Sequence, residues 1–144
     1  MVLPFLNLNC SLKPRAMITQ VTSGVKVSVE VFYRQDQSNP LLNQFVFAYR
    51  ISITNNSDFS IQLRRRQWFI LDSNGQNREV EGEGVVGEQP IIGTGETYQY
   101  VSGCNLDSEI GKMFGSYLME RLIDKRQFFV RIPEFNMVVP YKLN

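Results

Sequence analysis

Between Glu81 and Pro90 the chain reads Glu-Gly-Glu-Gly-Val-Val-Gly-Glu-Gln-Pro, which sets Gly82, Gly84 and Gly87 in a Gly-x-Gly-x-x-Gly spacing. Glycines so spaced let a backbone approach a pyrophosphate at the N-terminus of the following helix, the chemistry of dinucleotide binding. That mechanism needs a helix after the motif, and here Pro90 and then Gly93-Thr94-Gly95 prevent one. Glu81, Glu83 and Glu88 also surround the loop with negative charge, which repels phosphate. A turn or bulge loop that requires small residues is the better reading. Upstream, Arg64-Arg65-Arg66 is the one basic run. On a strand, successive side chains point to opposite faces, so the three cannot form one patch. Arg64 and Arg66 together could capture an anion. The preferred alternative is a solvated face, with Arg66 paired to an acid of the glycine loop. Of the acidic residues around the turns, Glu83 and Glu88 are the candidates for a hard cation held through water. No EF-hand register accompanies them, and no metal or other cofactor is expected.

The chain contains no histidine. Ser-His-Asp and Cys-His triads are therefore excluded, as are zinc sites that use histidine. General acid–base work would fall to Asp, Glu, Lys or Tyr, and the chain reads as non-enzymatic. Two cysteines, Cys10 and Cys104, suit a reducing compartment better than a disulfide framework. No positive charge adjoins Cys104 in sequence, so a buried structural thiol is expected there. Fifteen basic against fourteen acidic residues predict neither nucleic-acid binding nor a polybasic membrane anchor. The leader Met1 to Ala16 is a poor secretory signal, because Lys13 and Arg15 follow its apolar part and Pro4 interrupts it. No window approaches the roughly 18 apolar residues of a membrane span. A soluble, cytoplasmic protein without membrane insertion is expected.

The elements that must position these residues alternate with a period of two. Val25, Val27, Val29, Val31 and Tyr33 form one apolar face, and Phe32 breaks the polar one. Phe45 to Ile53 repeats the pattern and ends in the turn residues Asn55-Asn56-Ser57-Asp58. A third strand runs through Ile61, Leu63, Trp68, Ile70 and Leu71, with Trp68 expected in the core. Asn74-Gly75 supplies a hairpin signal, followed by a short strand over about Gln76 to Val80. Further strands are expected over Thr97 to Ser102, Gly111 to Arg121, Gln127 to Ile132 and Asn136 to Leu143. Only Leu118 to Lys125 tempts a helical reading. About eight short strands at this spacing predict a single all-β domain, an antiparallel sandwich of seven to nine strands. At 144 residues, with 43% hydrophobic composition, the chain can build one core without metal or disulfide support.

Several motifs in register carry a stronger signal than the glycines alone. They are Arg66-Gln-Trp68, Asp72 with Gly75, Gly84-Val-Val-Gly-Glu-Gln-Pro90, Gly95-Glu96 and Tyr100-x-Ser102-Gly-Cys104. Gly111-x-Met113-x-Gly115-x-Tyr117, Ile132-Pro-x-Phe135, Pro140 and Leu143-Asn144 complete the series. In order and spacing the chain resembles the ApaG domain family over residues 17 to 144. The resemblance implies a fibronectin type III-like sandwich, kinship with interaction domains, and a link to cobalt tolerance and magnesium efflux. Residues 1–16 fall outside it, as a disordered arm or a product of start-site choice rather than a functional segment.

The expectation is a non-enzymatic binding module that recognises a protein partner. Gly82, Gly84, Val85, Val86, Gly87 and Glu88 would form its surface, with Ile91 and Ile92 beside them. In the alternative packing Val85 and Val86 fold inward, which removes half of the apolar surface. The alternative is a binder of pyrophosphate or a dinucleoside polyphosphate, using Arg64, Arg66 and the amides of Gly82 to Gly87. Exposed strand edges also permit a homodimer.

Overall fold

The computed structural model describes residues 17–143, so the expectations for Cys10 and the leader lie outside the described residues. Nine strands follow one another: β1 (Met17–Thr22), β2 (Val25–Tyr33), β3 (Phe45–Asn55), β4 (Ile61–Asp72), β5 (Asn77–Glu83), β6 (Ile91–Ile92), β7 (Thr97–Leu106), β8 (Ile110–Arg121) and β9 (Gln127–Val138). They form two antiparallel sheets. One has the order β1-β2-β3-β7; the other has β5-β4-β8-β9, with β6 also paired to β4. The sequence periodicity produces this sandwich directly, because each valine of β2 and each alternate residue of β3 turns inward. Val25, Val27, Val29, Phe47, Ile51 and Ile53 are sealed from solvent against Ile61, Leu63, Met119, Val130 and Met137 of the facing sheet. At this degree of burial each such side chain contributes about 1.5–3 kcal/mol of transfer free energy.

Trp68 lies in the core, with Tyr49 and Phe135 packed on its ring at 5.4 and 5.9 Å. Phe32, the exception on the polar face of β2, is buried there with Ala48 as a small cluster outside the main core. The two expected strands flanking Pro133 are one continuous strand, β9, and Pro140 to Leu143 form a 3₁₀ turn instead. The β8–β9 register shifts between Met113 and Gly115, opposite Pro133. A bulge on an edge strand removes the need for the N–H that proline lacks, so the strand passes through. Leu118 to Lys125 is not helical: β8 runs to Arg121 and a turn follows. β5 and β7 each extend beyond the expected ends, to Glu83 and Leu106. Among the described residues no helix is long and apolar enough to cross a membrane.

Candidate functional site: the glycine-rich hairpin

The glycine loop is a tight hairpin laid against the middle of β4. Val85 and Glu88 exchange both backbone hydrogen bonds, at 2.8 and 2.9 Å, around the two-residue tip Val86-Gly87. Both tip residues have positive φ, 50° and 77°, which makes the turn type I′. The three glycines answer to separate local demands. A Cβ at Gly84 would stand 2.0 Å from the Glu88 carbonyl oxygen, so only glycine lets the two arms close. Gly87 has open space around it and is required for its left-handed φ. A Cβ at Gly82 would meet the Arg66 guanidinium at 3.0 Å. Val86 has no such licence. A β-branched residue in the left-handed region is a conformational outlier, and Val86 holds it while 37% exposed at the tip.

Val85 takes the inward alternative, and Ile92, expected at the surface, is buried as well. Each is 1% exposed and joins the core, because the hairpin folds its Val85 arm inward and Ile92 pairs with Ile61. The apolar surface of this region consists of Val86 and Ile91, which is 59% exposed.

The arginine run does not form a single anion clamp, for a reason the simple alternation misses. The register between β4 and β8 shifts between Leu63 and Arg65, which makes Arg64 the extra residue of a bulge. Its carbonyl turns toward the loop and accepts from both the Gly84 amide and Gln89 Nε2, each at 2.9 Å. The Arg64 side chain goes to Gln62 Oε1 and to Glu120, 3.3 and 3.4 Å away. Arg66 pairs in register with Tyr117 and shares that residue's core-facing side of the sheet. Its Nη1 donates to the carbonyl oxygens of Glu83 and Gly84, at 3.1 and 2.9 Å. The expected partner of Arg66 was an acidic side chain; the loop presents its backbone instead. Glu88 accepts a 3.0 Å bond from the Tyr98 hydroxyl, and burial and then this carboxylate push the Tyr98 phenol up to about 12. Among the described residues no three His, Cys, Asp or Glu side chains converge on a point that could hold a metal.

Beneath Arg66 lies a group that the sequence pattern did not disclose. The hydroxyls of Tyr100 and Tyr117 bond each other at 2.5 Å, and Tyr49 stands beside them, all three buried. Burial pushes the Tyr49 phenol up to about 12 and raises Tyr100 and Tyr117 as well, while the Arg66 charge partly opposes each shift. Tyr100 and Tyr117 belong to different sheets, and no local spacing brings them together. Cys104 is a free, buried thiol, as expected. A positive charge does reach it, since Arg78 Nη2 lies 3.4 Å from Sγ, brought there from β5. Burial outweighs that charge and pushes the thiol up to about 11.

With this geometry in place, the similarity to other proteins is informative. The family model described as the ApaG domain matches residues 35–121. The chain is 48% identical to Protein ApaG of Brucella canis over 124 residues, covering 86% of this chain and 95% of the relative. It is 47% identical to Protein ApaG of Brucella abortus over the same shares of each chain. A crystal structure from Bordetella pertussis, described as ApaA, superposes with a TM-score of 0.78 at 41% identity, covering 81% of this chain and 94% of that one. The family match over residues 35–121 and the identity to these relatives over most of both chains show that the chain belongs to the ApaG domain family.

Proposed function

We propose that the protein is a non-enzymatic binding module whose glycine-rich hairpin recognises a protein partner. The conformation of Val86 carries this reading. Asparagine or glycine would adopt its φ of 50° without strain, yet the tip displays an isopropyl group to solvent at a cost of about 1–2 kcal/mol. Such strain persists where the side chain is useful, and an exposed apolar knob is suited to an apolar socket on another chain. The polar groups nearby support the same choice. Arg66 is held by carbonyl oxygens, Arg64 by Gln62 and Glu120, and the Gly84, Val85 and Glu88 amides donate within the fold. Little remains for a phosphate. We infer that the setting is divalent-cation homeostasis, as the family resemblance implies, with the hairpin acting through a protein contact rather than by holding an ion.

A photo-crosslinking side chain at position 86, compared with one at Thr19 on the remote strand β1, tests the reading in cells. One discrete adduct from position 86 and none from 19 is the expected result. Equal labelling from both positions would overturn it. A thermal-shift panel of pyrophosphate, diadenosine tetraphosphate, Mg²⁺ and Co²⁺ supplies the second arm. A ligand at 100 times its dissociation constant adds about 2.7 kcal/mol of stability, so a clear shift with a polyphosphate would move the function from protein recognition to phosphate binding.

A further inference from the structure

Three turns meet at the end of the sandwich where β4 begins. They are the β1–β2 turn at Ser23-Gly24, the β3–β4 turn at Ser57-Asp58-Phe59 and the β8–β9 turn over residues 122–126. Between them lies a cleft of about 310 Å³, lined by the named residues of the first two turns with Ile61, Arg121, Arg126 and Phe128. Its walls are tied by backbone bonds. The Asn56 amide donates to Gly24 O at 2.8 Å, Leu122 to Ser60 O at 3.0 Å, and Arg121 to Arg126 O at 2.8 Å. Gly24 lies so close to Ser57 that a Cβ would stand 3.3 Å from its Cα. The cleft is therefore preformed, as small-molecule sites of this volume commonly are.

Its chemistry is divided into two parts. Phe59, Ile61 and Phe128 supply an apolar wall, and the Arg121 guanidinium lies 3.6 Å over the Phe59 ring as a flat cationic shelf. Asp124 bonds one end of Arg121 at 2.9 Å, but its Nε is buried with no hydrogen-bond partner among the described residues. Arg126 is exposed at the rim and Ser23 contributes a hydroxyl, whereas the Ser57 hydroxyl donates to Asn55 Oδ1 at 2.6 Å. Asp124 balances Arg121, so the cation left available in the cleft is Arg126, which makes no ion pair among the described residues, and it is this charge that an anion would meet.

We propose that this cleft binds a small molecule joining a flat apolar ring to one anionic group. The ring stacks on the Arg121–Phe59 shelf against Phe128, and the anion meets Arg126 and the Ser23 hydroxyl. The site shares no residue with the glycine hairpin, and the inference stands or falls independently of the protein-recognition reading.

An amide-resolved NMR titration of the full chain tests it with four probes: 4-hydroxybenzoate, adenosine monophosphate, inorganic phosphate and benzyl alcohol. The expected result is saturable shifts at Gly24, Ser57, Arg121 and Arg126 with at least one of the two ring-bearing anions. Which of the two binds more tightly distinguishes a carboxylate from a phosphate ester as the natural anion. Phosphate alone and the neutral ring should bind at least tenfold more weakly. Arg126→Gln, at an exposed position, should weaken the ring-anion at least tenfold while leaving the melting temperature unchanged. Several outcomes would overturn the proposal: no saturable shift with either ring-anion at millimolar concentration, inorganic phosphate binding as tightly as the ring-anions, shifts confined to residues 82–88, or unaltered affinity in Arg126→Gln.

Discussion

The glycine hairpin and the end cleft invert each other. The hairpin carries the motif with a well-known chemistry, and its geometry uses that motif for something else: its cations and most of its amides are engaged within the fold. The cleft carries no motif, yet gathers two arginines, two serines, an aspartate and two phenylalanines, and leaves Arg126 without an ion pair among the described residues. A spacing in sequence indicates what a backbone can do locally. Whether functional groups remain available depends on what tertiary contacts leave unsatisfied.

Alkali should separate the two regions most strongly. The core behind the hairpin contains Tyr49, Tyr100 and Tyr117, whose native pKa values are raised by burial above the unfolded value of about 10. A raised native value means that the folded state keeps a proton the unfolded state loses. Stability is therefore fully present below pH 10 and declines as pH climbs from 10 toward 12. Three such groups give a slope of about 2 kcal/mol per pH unit at pH 10, rising toward about 4 as the unfolded phenols finish ionising. That is enough to unfold a domain of ordinary stability within two to three units. The urea midpoint should fall steeply between pH 10 and 11, and Tyr117→Phe should reduce that dependence by about a third. The arginines of the cleft keep their charge throughout this range. A midpoint that stayed flat to pH 11 would remove the tyrosines from the account of the hairpin's support.

Next in size is the contrast between two glycines of one motif. Gly84→Ala forces a Cβ against the Glu88 carbonyl and should cost about 3 kcal/mol. Gly87→Ala meets open space and pays only for its left-handed φ, about 1–2 kcal/mol. Chemical denaturation of the pair measures the difference. If Gly87→Ala proved the costlier change, the steric account of the motif would be wrong.

Much of the sandwich is legible in the sequence because its information is local. Alternating valines name β2, turn residues end β3, and Trp68 amid alternating apolar residues belongs inside. What is not legible depends on a partner strand. Nothing in Arg64-Arg65-Arg66 announces that β8 will oppose Leu63 and Arg65 while skipping Arg64. Nothing local shows that Pro133 will fall in an edge bulge, that Tyr100 will find Tyr117, or that Arg78 will reach Cys104. The inward turn of Val85 follows from the type I′ geometry of its neighbours. A Val-Val pair conceals this, since that turn usually advertises itself with asparagine or glycine. The cleft was hidden for the same reason, its lining being spread from Ser23 to Phe128.

The bulge makes a quantitative distinction between neighbouring arginines. Arg66→Ala removes two charge-assisted bonds to loop carbonyls and should destabilise by about 2 kcal/mol. Arg64→Ala removes an ion pair that is 39% exposed on the arginine side, which should cost below about 1 kcal/mol. Arg64 also holds the loop, but through its backbone carbonyl, which alanine retains. The two variants differ only slightly in sequence, so thermal melts under one condition suffice. Equal losses would mean that the guanidinium of Arg66 is dispensable and that the hairpin is held by its backbone alone.

The smallest expected change in stability is the most informative about function. Val86→Gly relieves a left-handed valine at a cost of about 1–2 kcal/mol and incurs the extra chain entropy of glycine, about 0.5–1 kcal/mol. The net is a gain of about 0.5–1 kcal/mol. Most substitutions at an ordinary surface position leave both stability and binding near their starting values. At a tip strained to present a side chain, the two should move in opposite directions: the variant melts slightly higher and loses the partner that crosslinks through position 86. A variant that gained stability and kept the partner would make Val86 an accident of the turn, and the contact would have to be sought at Ile91 instead. One that lost stability would show that the valine side chain contributes packing outweighing its backbone strain, and the opposition between stability and binding at the tip would disappear.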